Sequence, residues 1–141
     1  RSTLPLLDKY LKRVFESIKG EGLKNLHWVT GIHTQVIATS LLAVLSQQTT
    51  ETLELLTENC CIIAKPGENR AVEPLNSRFG ISVMRMEESY DDSFLIVTGV
   101  SLLDVTPVAA DNGAPEFHDD PTVVSLYIGL FNMLKNRSVP I

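Results

Sequence analysis

Leu4, Leu7, Leu11, Val14 and Ile18 recur every three or four positions, and Asp8, Lys9, Lys12, Arg13 and Glu16 lie between them. That period predicts an amphipathic helix over 5–19, opened by Pro5 in its first turn. Gly20-Glu21-Gly22 stops it. Residues 23–30, centred on Trp28 and Val29, read as a strand. Gly31 reads as a turn, and Thr34, Val36, Ile37 and Thr39 favour a second strand over 33–39, which makes a hairpin. A helix beginning at His33 is the competing reading. Leu41, Leu42, Val44, Leu45, Leu53 and Leu56 predict a helix over 40–58, weakened in its middle by Thr49, Thr50 and Thr52.

Beyond it, 60–65 is a short apolar strand ended by the turn Lys65-Pro66-Gly67-Glu68-Asn69. Residues 70–77, which include Pro74, read as loop. Phe79, Ile81 and Val83 alternate with smaller or polar residues and predict a strand. Residues 87–92 form an acidic turn. Residues 94–100 are nearly all apolar, as in a central strand, and 102–108 extends them past a bulge at Gly99. A loop over 109–120 leads to a last helix, with Asp120 as N-cap, Pro121 at its first position and Val123, Tyr127, Leu130 and Leu134 as its buried stripe. The expected fold is therefore α+β: one antiparallel sheet with helices packed on it, in the order helix-strand-strand-helix-strand-strand-strand-helix. The whole of 1–141 is expected to form a single domain.

Composition narrows the function more than the fold. The chain has 141 residues, 44% hydrophobic and 21% charged, which excludes disorder throughout. Twelve Lys and Arg against 17 Asp and Glu give a net charge of −5. A net acidic domain without a basic block implies no nucleic-acid partner. No run is long enough to span a bilayer, so a membrane is reached only through a complex. The two cysteines, Cys60 and Cys61, are adjacent and point to opposite faces of a strand, which predicts buried, reduced thiols and a cytoplasmic setting.

Several side-chain groups invite a chemical reading. Asp111, Glu116, His118, Asp119 and Asp120 fall within ten residues, the makings of a small enzyme or a metal or ligand site. Their spacing matches no loop with fixed ligand positions, and a solvated loop capping the last helix is the favoured reading. Glu87, Glu88, Asp91 and Asp92 read as an exposed turn. His27 and His33 have no partner nucleophile in sequence, and neither a nucleophile elbow nor a phosphate loop is present. Lys9, Lys12, Arg13, Lys19 and Lys24 make a mildly basic face interrupted by Glu16 and Glu21. Neither a cofactor nor a catalytic residue is expected.

Two stretches carry a family resemblance. Leu7-Asp8-Lys9-Tyr10-Leu11, then Gly22-Leu23-Lys24-Asn25-Leu26 running into Trp28-Val29, resemble the opening helix and first strand of roadblock-family scaffold domains of the Ragulator and dynein light chain type. Gly31-Ile32-His33-Thr34-Gln35-Val36 is similar to a proteasome-assembly-chaperone-like domain, the second resemblance. The first implies a non-catalytic interaction subunit that pairs with a protein partner as a homo- or heterodimer. It implies an interface on the second helix, at Leu41, Leu42, Leu45, Leu55 and Leu56.

Overall fold

The computed structural model describes residues 3–21, 25–97, 101–104 and 114–141. The elements are α1 (Thr3–Glu21), β1 (Leu26–Val29), α2 (Thr34–Ser46), α3 (Thr50–Asn59), β2 (Cys60–Ala64), α4 (Asn69–Phe79), β3 (Ser82–Arg85), β4 (Phe94–Val97), β5 (Ser101–Asp104), β6 (Glu116–His118), α5 (Pro121–Asn136) and β7 (Val139–Pro140). The fold is α+β with one seven-stranded sheet, in the order β6-β5-β4-β1-β2-β3-β7.

The sheet is mixed, which corrects the expected antiparallel one. β1 pairs with β2 and β2 with β3 in parallel, whereas β4, β5, β6 and β7 pair antiparallel with their neighbours. Parallel neighbours need a crossover of a dozen or more residues. Those crossovers are α2 with α3, and α4.

The hairpin over 33–39 is absent, and the competing helix is what forms. Burial overrides the strand propensity of Val36, Ile37 and Thr39: in α2, Thr34, Ile37, Ala38, Leu41 and Leu45 share one buried side. The helix expected over 40–58 is two helices. They break at 47–49, where the Thr49 side chain caps α3 by accepting from the Thr52 N–H.

Residues 70–77 are helical in α4, not loop. Pro74 costs about 3 kcal/mol inside a helix. Burying Val72 and Leu75, both 0% exposed, returns about 1.5–3 kcal/mol each, so the helix wins. Gly80 ends it at φ 72, a left-handed position, with its N–H bonded to the Asn76 carbonyl. The expected extension of the 94–100 strand over 102–108 is instead a separate strand, β5, that folds back antiparallel on β4, with 105–108 outside the described residues. The supposed loop over 109–120 contains the edge strand β6, and 109–113 lie outside the described residues.

Side chains alternate across the sheet, so it carries two apolar layers. Leu7, Leu11 and Val14 of α1, Ile37, Leu41 and Leu45 of α2 and Val72 and Leu75 of α4 cover one face, on Trp28, Ile62, Val83 and Leu95. Val124, Phe131 and Leu134 of α5 cover the other, on Val29, Ile63, Phe94 and Ile96. Among the described residues no helix is long and apolar enough to cross a membrane.

Candidate functional site

β1 and β2 both end at the same edge of the sheet, and β4 begins there. In open sheets with parallel strands, ligands bind outside the carboxyl ends, where the strand order reverses. Here it reverses at β1, which has β4 on one side and β2 on the other.

Main-chain and hydroxyl groups tie this mouth together. The Thr30 N–H donates to the Ile63 carbonyl at 3.0 Å, and the Lys65 N–H donates to Thr30 Oγ1 at 2.9 Å. Ser93 Oγ donates to the Val29 carbonyl at 3.0 Å. Thr34 Oγ1 accepts the Gly31 N–H and lies within reach of both the Gly31 carbonyl and the Glu68 carboxylate. Its single proton serves one of them at a time. A side chain at Gly31 would sit 2.4 Å from the Ser93 Cβ, so only glycine fits there. His33, two residues after Gly31, holds a left-handed backbone at φ 60, uncommon for a non-glycine residue.

Lys65 lies half-buried over this mouth, with its Nζ 5.9 Å from the centre of the Tyr90 ring. Burial pushes its ammonium below the usual lysine range, against the opposing pull of Asp92, Asp91 and Glu68. The Tyr90 hydroxyl donates to Asp92 Oδ2 at 2.9 Å, and burial first and that bond second push its pKa above the usual tyrosine range. Nearby, the Tyr127 hydroxyl donates to Asp104 Oδ2 at 2.9 Å, and its pKa is pushed up to about 12 by burial first and the Asp104 bond second.

The groups singled out from sequence are dispersed. Asp111 lies outside the described residues. Glu116 and His118 pair at 3.2 Å on β6, Asp119 is exposed, and Asp120 caps α5 by accepting the Thr122 N–H at 2.9 Å. Among the described residues no group of three or more His, Cys, Asp or Glu is placed to hold a metal ion. Glu87 pairs with Arg85 at 3.2 Å. His27 packs edge-on against Phe131 beneath α5, within β1 and not at its end, whereas His33 stands at the mouth. Cys60 and Cys61 are free, buried and in opposite layers. Burial drives the Cys60 thiol up to about 12 and raises that of Cys61, so neither is a ready nucleophile. On the basic face Lys12 pairs with Asp8 at 3.2 Å, and the Arg13 guanidinium lies 4.2 Å from the Phe117 ring centre.

Of the leucines expected at an interface, Leu41 and Leu45 are 0% exposed and pack on the chain's own sheet. Leu42 is half-buried, Leu55 is 62% exposed, and the Leu56 side chain lies outside the described ones. Sequence reasoning missed Thr30, Thr34, Lys65, Glu68, Tyr90 and Ser93. The signal was a charged residue and Pro66-Gly67 directly after the apolar run 60–64: a polar group set at the end of a central strand.

No family model and no curated protein matches the sequence. Solved structures do match. A phospholipase D family member, Nuc from Salmonella typhimurium, aligns over 92% of this chain and 89% of its own, with a TM-score of 0.57 and 13% identity. TrmBL2, an archaeal chromatin protein described by its mode of DNA binding, aligns over 93% of this chain and 52% of its own, with a TM-score of 0.60 and 14% identity. At these identities the likeness shows the fold alone. It nevertheless overturns the partner expectation of protein alone with nucleic acid excluded. A chain of this fold serves in a DNA-binding protein, so net charge is no ground for that exclusion. Neither structure is a roadblock domain, and the hairpin on which that element order rested is absent.

Proposed function

We propose that this chain is a non-catalytic recognition domain that holds a small ligand at the mouth of its sheet, at the carboxyl ends of β1 and β2. The observation that carries the reading is the engagement of the mouth's hydroxyls. Thr30, Thr34 and Ser93 are the candidate nucleophiles beside Lys65, and each bonds the main chain. Ser93 Oγ gives its proton to a carbonyl, and the carboxylate that lies within reach of a hydroxyl, Glu68 Oε1 at 3.1 Å from Thr34 Oγ1, competes for that proton with the nearer Gly31 carbonyl, so neither hydroxyl is held by a base alone. The thiols lie buried in the layers with raised pKa values. The strained His33 and the half-buried Lys65 favour a binding site over plain surface, because such features concentrate where ligands are held.

The test follows from the likeness of fold to the phospholipase D family member. Purified protein is incubated with bis(p-nitrophenyl) phosphate, with and without divalent cations, and p-nitrophenolate release is followed. No turnover above buffer is expected. Turnover that disappears in Lys65→Ala or His33→Ala would make the mouth an active site and end the non-catalytic reading.

A further inference from the structure

The outer side of α5 is unlike that of the other amphipathic helices. The exposed positions of α1 include Asp8, Lys9, Lys12, Arg13 and Glu16, and those of α4 include Arg70, Glu73 and Arg78. From Pro121 to Leu134, α5 has no charged residue, yet Thr122, Ser125, Leu126, Gly129, Asn132 and Met133 are exposed on it. At about 100° per residue, these six fall within about 60° of Gly129 and make one face. Leu126 is 69% exposed, more than any other large apolar side chain among the described residues, and Met133 is 42% exposed. Gly129 stands at the middle of the helix, and a side chain there would meet nothing of this chain within 4 Å. Glycine is a poor helix former, and packing within the chain does not call for it. A second backbone crossing close over position 129 does.

The charges at the ends of α5 select the partner. Asp119 and Asp120 stand at its start and Lys135 and Arg137 at its end, all exposed. Among the described residues Asp119 and Arg137 make no ion pair. α2 is uncharged as well, but it is preceded by His33 and followed by Gln47 and Gln48, so its ends carry no such opposition. A two-fold axis at Gly129 lays α5 antiparallel on its own copy, so each acidic end meets a basic end and the helix dipoles oppose. Positions 125 and 133 are equidistant from 129, so Met133 of one copy meets the shallow hollow that Pro121, Thr122, Ser125 and Leu126 line on the other. We propose that the outer face of α5 is an isologous, antiparallel contact with a second copy of this chain.

Sedimentation velocity of the full chain over about a hundredfold range of concentration tests this. Wild type is expected to pass from monomer to dimer within that range. Gly129→Gln meets open space in its own chain and improves the helix. It is expected to raise the dissociation constant about tenfold or more, with no fall in the urea midpoint of the monomer. Arg137→Asp sets like charges at both ends of the contact and raises the constant about fivefold or more at low salt. Adding Asp119→Arg to it recovers affinity, and circular dichroism verifies all three variants. A monomer at every concentration overturns the proposal. A dimer indifferent to Gly129→Gln overturns the face, and one weakened by Arg137→Asp but not recovered by Asp119→Arg overturns the antiparallel pairing. No residue of the mouth lies on this face, so the pairing and the reading of the mouth stand or fall separately.

Discussion

The two faces of the sheet share seven strands and differ in what they bury. Beneath α1, α2 and α4 the layer is apolar, and Trp28 lies in it fully enclosed. Beneath α5 the layer holds His27, Cys61 and the Asp104–Tyr127 pair among its apolar side chains. The cause is topological. Crossovers between parallel strands have one hand, so successive crossovers in one direction place their helices on one face. The other face receives only the helix that follows the last long strand. A helix about 10 Å wide covers about two strands spaced about 4.8 Å apart. α5 lies over β1 and β4, and the strands to either side keep polar residues that no second helix displaces. Each layer holds one buried thiol, Cys60 in one and Cys61 in the other, but the imidazole of His27 and the carboxylate of Asp104 lie on the singly covered face.

Removing the one cover is the severest way to break that comparison. Phe131 is 0% exposed and packs its ring 4.8 Å from that of His27. Phe131→Ala is expected to cost about 3–5 kcal/mol in urea unfolding, and Leu41→Ala on the opposite layer about 2–5 kcal/mol. The distinguishing readout is thiol labelling under native conditions. In Phe131→Ala, Cys61 reacts faster while Cys60 stays protected; in Leu41→Ala, Cys61 stays protected. Equal labelling of both thiols in Phe131→Ala would mean that the layers do not open separately.

The same contrast explains what could be read from the residues. The stripe of α1, the start and N-cap of α5 and the apolar runs of β2 and β4 were legible, because a period of 3.6 or an unbroken apolar run leaves little choice. The buried side of α5 was set one residue off, since Val124, Phe131 and Leu134 are enclosed while Val123, Tyr127 and Leu130 are half-buried. α2 was misread as a strand from 33 to 39, since its β-branched residues favour extension locally and only the sheet beneath Ile37 and Leu41 makes the helix win. Pro74 hid α4 for the same reason: a local cost concealed a tertiary gain. Strand direction followed those errors, as parallel pairing needs the helices that were missed. The mouth was illegible because it joins 30–34, 65–68 and 90–93, and no spacing within one segment announces it. Leu41 and Leu55 look alike in sequence, yet one is enclosed and the other is 62% exposed.

A smaller effect sharpens the comparison at the polar pair. Asp104 is 6% exposed and accepts from the Tyr127 hydroxyl at 2.9 Å, while the Tyr127 ring stands edge-on to Phe94 at 5.1 Å. Tyr127→Phe keeps the ring contact and removes the donor to a buried carboxylate. Its expected cost is about 1–2 kcal/mol, read from the urea midpoint. Tyr90→Phe removes the matching bond to the half-buried Asp92, where water replaces the donor, and is expected to cost less. Equal losses in the two variants would show that burial of the carboxylate does not set the cost.

The smallest expected effect is a pH dependence confined to the singly covered face. His27 Nδ1 is buried and, among the described residues, without a hydrogen-bond partner, and burial first, then the charge of Lys135, lowers the imidazole pKa from its ordinary value near 6.5. The unfolded chain therefore takes up a proton at a higher pH than the folded chain does. Between about pH 6.5 and the lower folded value the unfolded state binds more protons, so stability falls as pH falls through that window and is complete above it. His27→Leu removes this contribution while keeping an apolar contact for Phe131. Urea midpoints measured from neutral pH down to about 5 are expected to fall more steeply in wild type than in His27→Leu. The carboxylates titrate alike in both proteins, so the difference between the curves isolates His27. Lys135→Met, which removes the weaker cause, shallows the wild-type slope by less. Parallel curves for wild type and His27→Leu would mean that the buried imidazole accepts its proton as readily as a free one, and that a single helix excludes too little water to make this face distinct.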